Sequence, residues 1–177
     1  MSISKILTRR LFIALPIGND AVQPLSAIQT RLKTYGGGNF PPAKNFHITL
    51  AFLGDVREDQ IDELVSLLSK IKFRSMSLRC SKMEYFHSDK NWHASVDDNA
   101  ELSHLKEQIM LLLSAGHFCA DQTEFHPHIT LCRKLQGEFN AQEIFGESFD
   151  FRIECFCLFQ SEFTPHGMKY VPIATFR

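Results

Sequence analysis

The tetrapeptide His-Ile-Thr-Leu occurs twice in this chain, at residues 47–50 and at residues 128–131. Successive side chains of an extended strand point to opposite faces, so the His and the Thr of each copy project together while the intervening Ile points away. Each copy therefore offers one imidazole and one hydroxyl to the same side. If two halves of the chain lie about an approximate twofold axis, the two pairs face each other across a groove and can supply a proton acceptor and a proton donor.

A histidine in a strand can also be a packed residue without a chemical role, and this is the usual interpretation of one isolated His-x-Thr. Duplication of a structural unit would keep the Ile and the Leu for packing. It gives no packing reason to keep a titratable imidazole and a hydroxyl on the other face of both copies. The ordinary pKa of histidine lies nearest neutrality, which suits acid-base catalysis. We therefore predict that His47 and His128 carry the chemistry.

The composition is that of one globular domain spanning residues 1–177, with 44% hydrophobic residues and 16 Phe available for a core. The net charge of −1 provides no positive field to gather long nucleic acids, so any RNA contact should be short and local. The five scattered Cys are not spaced as a zinc ribbon and indicate reduced thiols in the cytoplasm. Apolar stretches are too short to cross a bilayer. We expect no membrane association, and a monomer.

Hydrophobic periodicity predicts a helix before each motif strand, between residues 19 and 36 and between residues 99 and 115, with a further helix over residues 58–71. Strands are predicted at residues 9–15, 45–53, 76–86, 92–96, 125–133, 149–159 and 169–176. The class is α+β. We expect two pseudo-symmetric lobes with mainly antiparallel sheets flanked by helices, and a central groove that carries the two His-x-Thr motifs.

The chain resembles the 2H phosphoesterase superfamily, and within it the bacterial RNA 2′,3′-cyclic phosphodiesterases, also called 2′-5′ RNA ligases. The resemblance runs nearly end to end. It is carried by the segments Arg-Leu-Phe-Ile-Ala-Leu-Pro at residues 10–16, Asn-Phe-His-Ile-Thr-Leu-Ala-Phe-Leu-Gly-Asp-Val at 45–56, Phe-His-Pro-His-Ile-Thr-Leu-Cys-Arg at 125–133 and Leu-Phe-Gln-Ser at 158–161, followed by Tyr170. One departure is Cys132, where the family more often has a small or aliphatic residue.

The resemblance implies hydrolysis of a terminal 2′,3′-cyclic phosphate on RNA or a nucleotide to a 2′-phosphate, with no metal and no cofactor. By likeness to the family, His47 is the proton donor and His128 the proton acceptor. The two copies are nearly symmetric, and in a reversible 2′-5′ ligation the roles exchange between the two directions, so the residues themselves do not assign them. The hydroxyls of Thr49 and Thr130 can donate to phosphate oxygens, where charge builds in the transition state. Their alternative role is filling a strand position.

Arg133 is the family's further phosphate-binding residue, but it lies five residues after His128. An odd offset points it to the opposite face of an ideal strand, so a bend or the end of the strand would be needed to bring its guanidinium to the phosphate. Its alternative role is a surface cation. Stacking of a base would need an aromatic platform beside the groove. The candidates are Phe12, Phe40 and Phe46, and Lys44 and Arg10 are candidates for contact with a phosphodiester backbone.

Two rival functions belong to other classes. His126 and His128 form a His-x-His pair, and with His47 as a third ligand they could hold a catalytic zinc ion. Thr is a poor zinc ligand, however, and no carboxylate recurs in both copies. The other rival is a noncatalytic RNA- or nucleotide-binding module, since a fold does not fix a function. The sequence does not choose among RNA ends, tRNA halves and small cyclic nucleotides as the substrate.

Overall fold

The computed structural model describes residues 7–87, 90–135, 137–165 and 167–177. The strands are β1 (Thr8–Pro16), β2 (His47–Arg57), β3 (Met76–Phe86), β4 (Asn91–Val96), β5 (His128–Arg133), β6 (Phe149–Ile153), β7 (Phe156–Thr164) and β8 (Gly167–Phe176). The α-helices are α1 (Asn19–Leu32), α2 (Ile61–Leu68), α3 (Ala100–Ala115) and α4 (Ala141–Phe145). Within the described ranges, no helix is both long and apolar enough to span a membrane.

All eight strands form one sheet in the order β6-β3-β4-β5-β2-β1-β7-β8, and every neighbouring pair is antiparallel. The sheet has two four-stranded halves. The first lobe contains β2, β1, β7 and β8, and the second lobe contains β5, β4, β3 and β6. The lobes meet through the motif strands β2 and β5, which pair at Ile48 and Ile129. The predicted α+β class, with antiparallel sheets flanked by helices, is confirmed.

The lobes are not successive halves of the chain. Residues 149–159, predicted as one strand, form two: β6 at the outer edge of the second lobe and the start of β7 in the first lobe. Both segments have the composition of strands, and alternation along a chain cannot show that pairing changes partners after Ile153. Only residues 154 and 155 connect these two strands. The last hairpin therefore completes the lobe that contains β1 and β2.

The helices are exchanged between the lobes. Helix α1 follows β1 of the first lobe but packs against β5 and β6 of the second, and α3 follows β4 of the second lobe but packs against β2 of the first. One contiguous core contains the buried sides of both halves of the sheet and of these helices. Because each helix covers the other lobe's sheet, the apolar area it buries also ties the lobes together.

Each motif strand contains a β-bulge directly after its His-x-Thr. On β1, Ile13 pairs with Ala51 and Ala14 with Thr49, which leaves Leu50 as an extra residue on β2. On β4, Trp92 pairs with Cys132 and His93 with Thr130, which leaves Leu131 as an extra residue on β5. Leu50 with Ala51, and Leu131 with Cys132, are consecutive buried residues. Alternation is therefore shifted by one position, and the residues that follow, Phe52 and Arg133, return to the face of the motif His and Thr.

A side chain from an exchanged helix reaches the carbonyl oxygen at each bulge. The Gln29 Nε2 of α1 donates to Leu131 O at 2.8 Å, and the Lys106 Nζ of α3 donates to Leu50 O. Gln29 is buried and also donates to Pro41 O at 3.0 Å. Buried carbonyl groups need a hydrogen-bond donor. A bulge disrupts the hydrogen bonds to the neighbouring strand, so another part of the chain has to supply the donor. The helix donors therefore stabilise the displaced backbone that follows each motif.

We expect Gln29→Met to lower the free energy of unfolding by about 1–3 kcal/mol, because it leaves the buried Leu131 carbonyl without this donor at nearly constant side-chain volume. Urea unfolding followed by circular dichroism measures the change. The matched control is Gln23→Met, an exposed position on the same helix, which should have little effect. Equal stability of the two variants would contradict the role assigned to Gln29.

Candidate active site

The two motifs lie side by side at the junction of the lobes. Ile48 and Ile129 are fully buried and face each other across the single β2–β5 pair. The strands are antiparallel, so the residue before Ile48 lies across from the residue after Ile129, and vice versa. Each motif His is therefore placed near the other lobe's Thr. All four polar side chains are half-buried on the same face, as alternation predicts.

Both motif histidines are held by the same local hydrogen bond. His47 Nδ1 lies 2.6 Å from Asn45 O, and His128 Nδ1 lies 2.6 Å from His126 O. A carbonyl oxygen can only accept, so the Nδ1 atoms carry hydrogen and the Nε2 atoms are left for acid-base work. Asn45 is itself buried, and its amide donates to Met168 O at 2.9 Å. The orientation of His47 is thus tied to the last hairpin of the first lobe.

His47 lies against two aromatic rings, with centroid distances of 5.2 Å to Phe12 and 5.1 Å to Tyr170. Burial lowers its pKa below the ordinary 6.5, because an imidazolium loses hydration there; the bond to Asn45 O opposes this change. The positive charges of His128 and Arg133 lower the pKa further. Both belong to the second lobe, so the fold concentrates positive charge around His47.

His128 has a different setting, which includes a third histidine that sequence analysis did not identify. The ring of His93 on β4 lies 4.1 Å from the ring of His128, and Phe86 lies 5.5 Å from it. His93 is only 1% exposed, and its Nδ1 is 3.2 Å from Thr130 Oγ1. The available signal was an imidazole in the short predicted strand at residues 92–96. Its contact with the motif depends on strand pairing, which the sequence did not specify.

A cavity of about 720 Å³ opens beside the motifs, within the size range of small-molecule sites. Residues from both lobes line it, among them Arg10, Phe12, His47, Phe52, Arg133 and Tyr170. A smaller recess of about 110 Å³ adjoins it and contains Thr49, Lys106 and His128. Phe52 and Asp121 border both spaces. The cavity and the recess together form what we call the groove.

Arg133 reaches the groove because of the bulge at Leu131, which removes the difficulty posed by its odd offset from His128. The backbone of Arg133 is also fixed, since it exchanges two hydrogen bonds of 2.8 Å with Asn39. Gly38 permits this approach, because a Cβ there would lie 2.6 Å from Cys132 Sγ. The glycine run at residues 36–38, which precedes the first motif, thus allows the chain to pack closely against β5 of the second lobe.

The expected aromatic platforms are mostly packed in the protein. Phe12 and Phe46 are 3% and 4% exposed, and Phe40 is half-buried with Lys33 Nζ 5.3 Å from its ring centroid. Phe52 is instead 52% exposed beside the groove. Alternation without the bulge assigns Phe52 to the core face, so the pattern of side chains offers no reason to choose it. Of the predicted basic residues, Arg10 lines the groove and Lys44 lines a separate pocket behind His47.

The three histidines considered as ligands of a zinc ion, His47, His126 and His128, do not form a metal-binding group. His126 points toward Glu124, with its Nε2 3.5 Å from Glu124 Oε2, while its carbonyl oxygen holds His128. Across the described part of the chain, no three His, Cys, Asp or Glu side chains are grouped to hold a metal ion. A second cavity of about 600 Å³ is lined by His126, by Lys82 and by three carboxylate side chains, those of Glu84, Asp97 and Asp98. Its acidic lining suits an anionic ligand poorly.

Comparisons with known proteins agree with this geometry. Residues 15–93 match the family model described as LigT like Phosphoesterase. An RNA 2′,3′-cyclic phosphodiesterase of Bacillus subtilis (strain 168) is 30% identical over 134 residues, which cover 72% of each chain. One from Thermotoga maritima is 28% identical over 171 residues, covering 91% of each. The crystal structure of E. coli LigT complexed with 3′-AMP has a TM-score of 0.80 at 20% identity, over 96% of this chain and 98% of that one.

A two-lobed antiparallel sheet with one His-x-Thr strand from each lobe at a common groove defines the 2H class of phosphoesterases. The chain belongs to the LigT-like phosphoesterase family. The family resemblance predicted from the two motifs and their flanking segments is therefore confirmed.

We expect the pKa of His47 to lie below 6.5 in the free protein and to rise when sulfate is added at constant ionic strength. Burial disfavours the imidazolium, and an anion in the groove favours it. An NMR titration of the imidazole signals, assigned with His47→Gln, measures both values. His104, exposed on α3 away from the groove, is the reference signal that sulfate should leave unchanged. A His47 pKa above 6.5 without sulfate would contradict the assigned environment.

Proposed function

We propose that this protein hydrolyses terminal 2′,3′-cyclic phosphates on RNA or nucleotides to 2′-phosphomonoesters, by metal-free acid-base catalysis with two histidines. The observation that carries the proposal is the pair of imidazoles at one groove, each with Nδ1 held by a carbonyl two residues before it. The relatives from Bacillus subtilis and Thermotoga maritima are named for this activity. The 3′-AMP complex of E. coli LigT supports nucleotide binding by the same fold.

In this mechanism, neutral His128 takes a proton from water as the water oxygen attacks phosphorus. The bond between phosphorus and O3′ breaks, and protonated His47 gives its proton to O3′, which leaves a 2′-phosphate. Each transfer is typically worth ~10²–10⁴ in rate. With a ribose 5′-hydroxyl in place of water, the same groups in the same roles would catalyse 2′-5′ ligation, and the reverse cleavage of that bond by the 3′-hydroxyl would exchange the roles.

The lowered pKa of His47 is compatible with its role as proton donor once substrate is bound. In the free protein, burial and the charge of Arg133, together with that of His128 while it is protonated, keep its imidazole neutral over a wider pH range. A cyclic phosphate carries a negative charge, which offsets those cations and favours the imidazolium. The donor would thus be charged mainly in the complex.

The phosphate would be held between the lobes. Thr49 and Thr130 lie on the face of the motif histidines, and their hydroxyls can donate to the nonbridging oxygens, where negative charge increases in the transition state. The guanidinium of Arg133 lines the same cavity as His47 and suits bidentate contact with phosphate. These three residues remain the proposed phosphate-binding set.

Phe52 is the proposed platform for the terminal base. Its ring is exposed at the border between the larger cavity and the recess that contains His128. Bases stack on aromatic faces without strict sequence preference, which suits an enzyme that acts on varied RNA ends. The near-neutral net charge of −1 favours short ends as substrates over long duplexes.

We expect His47→Ala and His128→Ala each to reduce hydrolysis of a nucleoside 2′,3′-cyclic phosphate by about 10²–10⁴-fold, since each removes one proton transfer. The assay contains excess EDTA and identifies the product isomer by chromatography. His104→Ala, an exposed histidine on α3, is the matched control and should retain full activity.

The same experiment separates the rival functions. A binding module would bind nucleotide but release no product even as wild type, and a metal hydrolase would lose activity in EDTA. Turnover that survives both substitutions would place the active site elsewhere. A 3′-phosphate product would contradict cleavage of the bond to O3′.

We expect Phe52→Ala to raise KM for a nucleoside 2′,3′-cyclic phosphate by roughly 5- to 150-fold with little change in kcat, because stacking on a base is worth about 1–3 kcal/mol. Phe52→Trp should preserve binding. Leu111→Ala, another large exposed apolar side chain, 72% exposed on α3, is the control. Inhibition by sulfate should be unchanged in Phe52→Ala, since sulfate has no base; a parallel loss of sulfate affinity would mean that the substitution damaged the phosphate site.

A further inference from the structure

The two lobes differ at the position that pairs with the motif threonine. Thr49 on β2 pairs with Ala14 on β1, whereas Thr130 on β5 pairs with His93 on β4. Directly paired residues of antiparallel strands point to the same face. The first lobe therefore places a methyl group beside its threonine, and the second lobe places an imidazole.

His93 contacts both polar groups of the second motif. Its Nδ1 is 3.2 Å from Thr130 Oγ1, and its ring meets the ring of His128 edge to face at 4.1 Å. Phe86 packs against it at 4.7 Å, and the side chain is buried. Burial between two strands and an aromatic ring fixes the position of the imidazole. A fixed polar group at this position can set the direction in which the hydroxyl of Thr130 points.

The hydroxyl of Thr130 has one hydrogen, so the direction of this bond matters. If His93 Nδ1 accepts, the hydroxyl hydrogen is consumed and Thr130 can offer a phosphate only its lone pairs. If His93 Nδ1 carries hydrogen and donates, Thr130 accepts and its own hydrogen is available to a phosphate oxygen. Only the second arrangement is compatible with the proposed role of Thr130, because a phosphate oxygen is an acceptor.

We propose that His93 is a positioning residue that donates its Nδ1 hydrogen to Thr130 Oγ1 and so directs the Thr130 hydroxyl toward the phosphate. This inference rests on the proposed function, in which Thr130 contacts the reacting phosphate. The effect is confined to the second lobe, since Ala14 offers Thr49 no side-chain donor. The two threonines are then unequal: the Thr130 hydroxyl is preoriented, and the Thr49 hydroxyl is oriented by the substrate.

A double-mutant cycle tests the coupling, with kcat/KM for a nucleoside 2′,3′-cyclic phosphate as the readout. We expect Thr130→Val and His93→Ala each to reduce kcat/KM by about tenfold or more. His93→Ala should have no further effect in the Thr130→Val background. It should keep its full effect in the Thr49→Val background, which is the matched control because Thr49 has Ala14 as its partner.

Two further measurements distinguish positioning from packing. His93→Asn retains an amide N–H donor, whereas His93→Leu fills the space without one, so the Asn variant should recover activity that the Leu variant lacks. Nitrogen-15 NMR of the wild-type protein reports the tautomer directly and should show hydrogen on Nδ1 of His93. The tautomer measurement requires no substitution, so it remains decisive if a variant fails to fold.

Equal losses from His93→Ala in the wild-type and Thr130→Val backgrounds would overturn the proposal, as would an Nδ1 without hydrogen or an Asn variant no better than Leu. The failure of the proposed function looks different. In that case wild type would not turn over the cyclic phosphate, or Thr130→Val would be as active as wild type. An impaired Thr130→Val with an additive cycle would reject only the role of His93.

Discussion

The geometry of the groove depends on the hydrogen bonds that two backbone carbonyl groups at the bulges accept from helices. Each motif strand bulges directly after its threonine, and the carbonyl oxygens of Leu50 and Leu131 accept from Lys106 and Gln29 on helices that come from the other lobe. Leaving a buried carbonyl without a partner costs more than a hydrogen bond contributes on average. The bulges and the exchange of helices therefore stabilise each other, and the exchange holds the two lobes together.

The bulges also determine which side chains line the groove. The extra residues are Leu50 on β2 and Leu131 on β5. The residue two positions later faces the groove, and it is Phe52 in the first lobe and Arg133 in the second. Equivalent positions thus supply a flat aromatic surface and a cation. The proposed substrate has a base, which an aromatic surface suits, and a phosphate, which a cation suits, so two similar strands would bind chemically different ends of one molecule.

Charge is distributed in the same unequal manner. His47 lies against the rings of Phe12 and Tyr170 on the first lobe. Burial lowers its pKa most, and the charges of His128 and Arg133, which both belong to the second lobe, lower it further. An anion bound between the lobes would offset the repulsion between protonated His47 and these cations. Relief of that repulsion would contribute to the affinity for a phosphate. The pairing of His93 with Thr130, against Ala14 with Thr49, is a further difference between two strands with the same motif.

The sequence by itself determined the family and the α+β class and located the repeated motif, because a repeated His-x-Thr and the period of strand residues are local properties. It could not determine where a strand changes its partner, and residues 149–159 appeared as one strand for that reason. The contact of His93 with Thr130 and the exposure of Phe52 were equally hidden, since both depend on the pairing of strands distant in sequence. Tertiary structure decided these features: a bulge exists only relative to a neighbouring strand, and the orientation of every residue after it follows from that pairing.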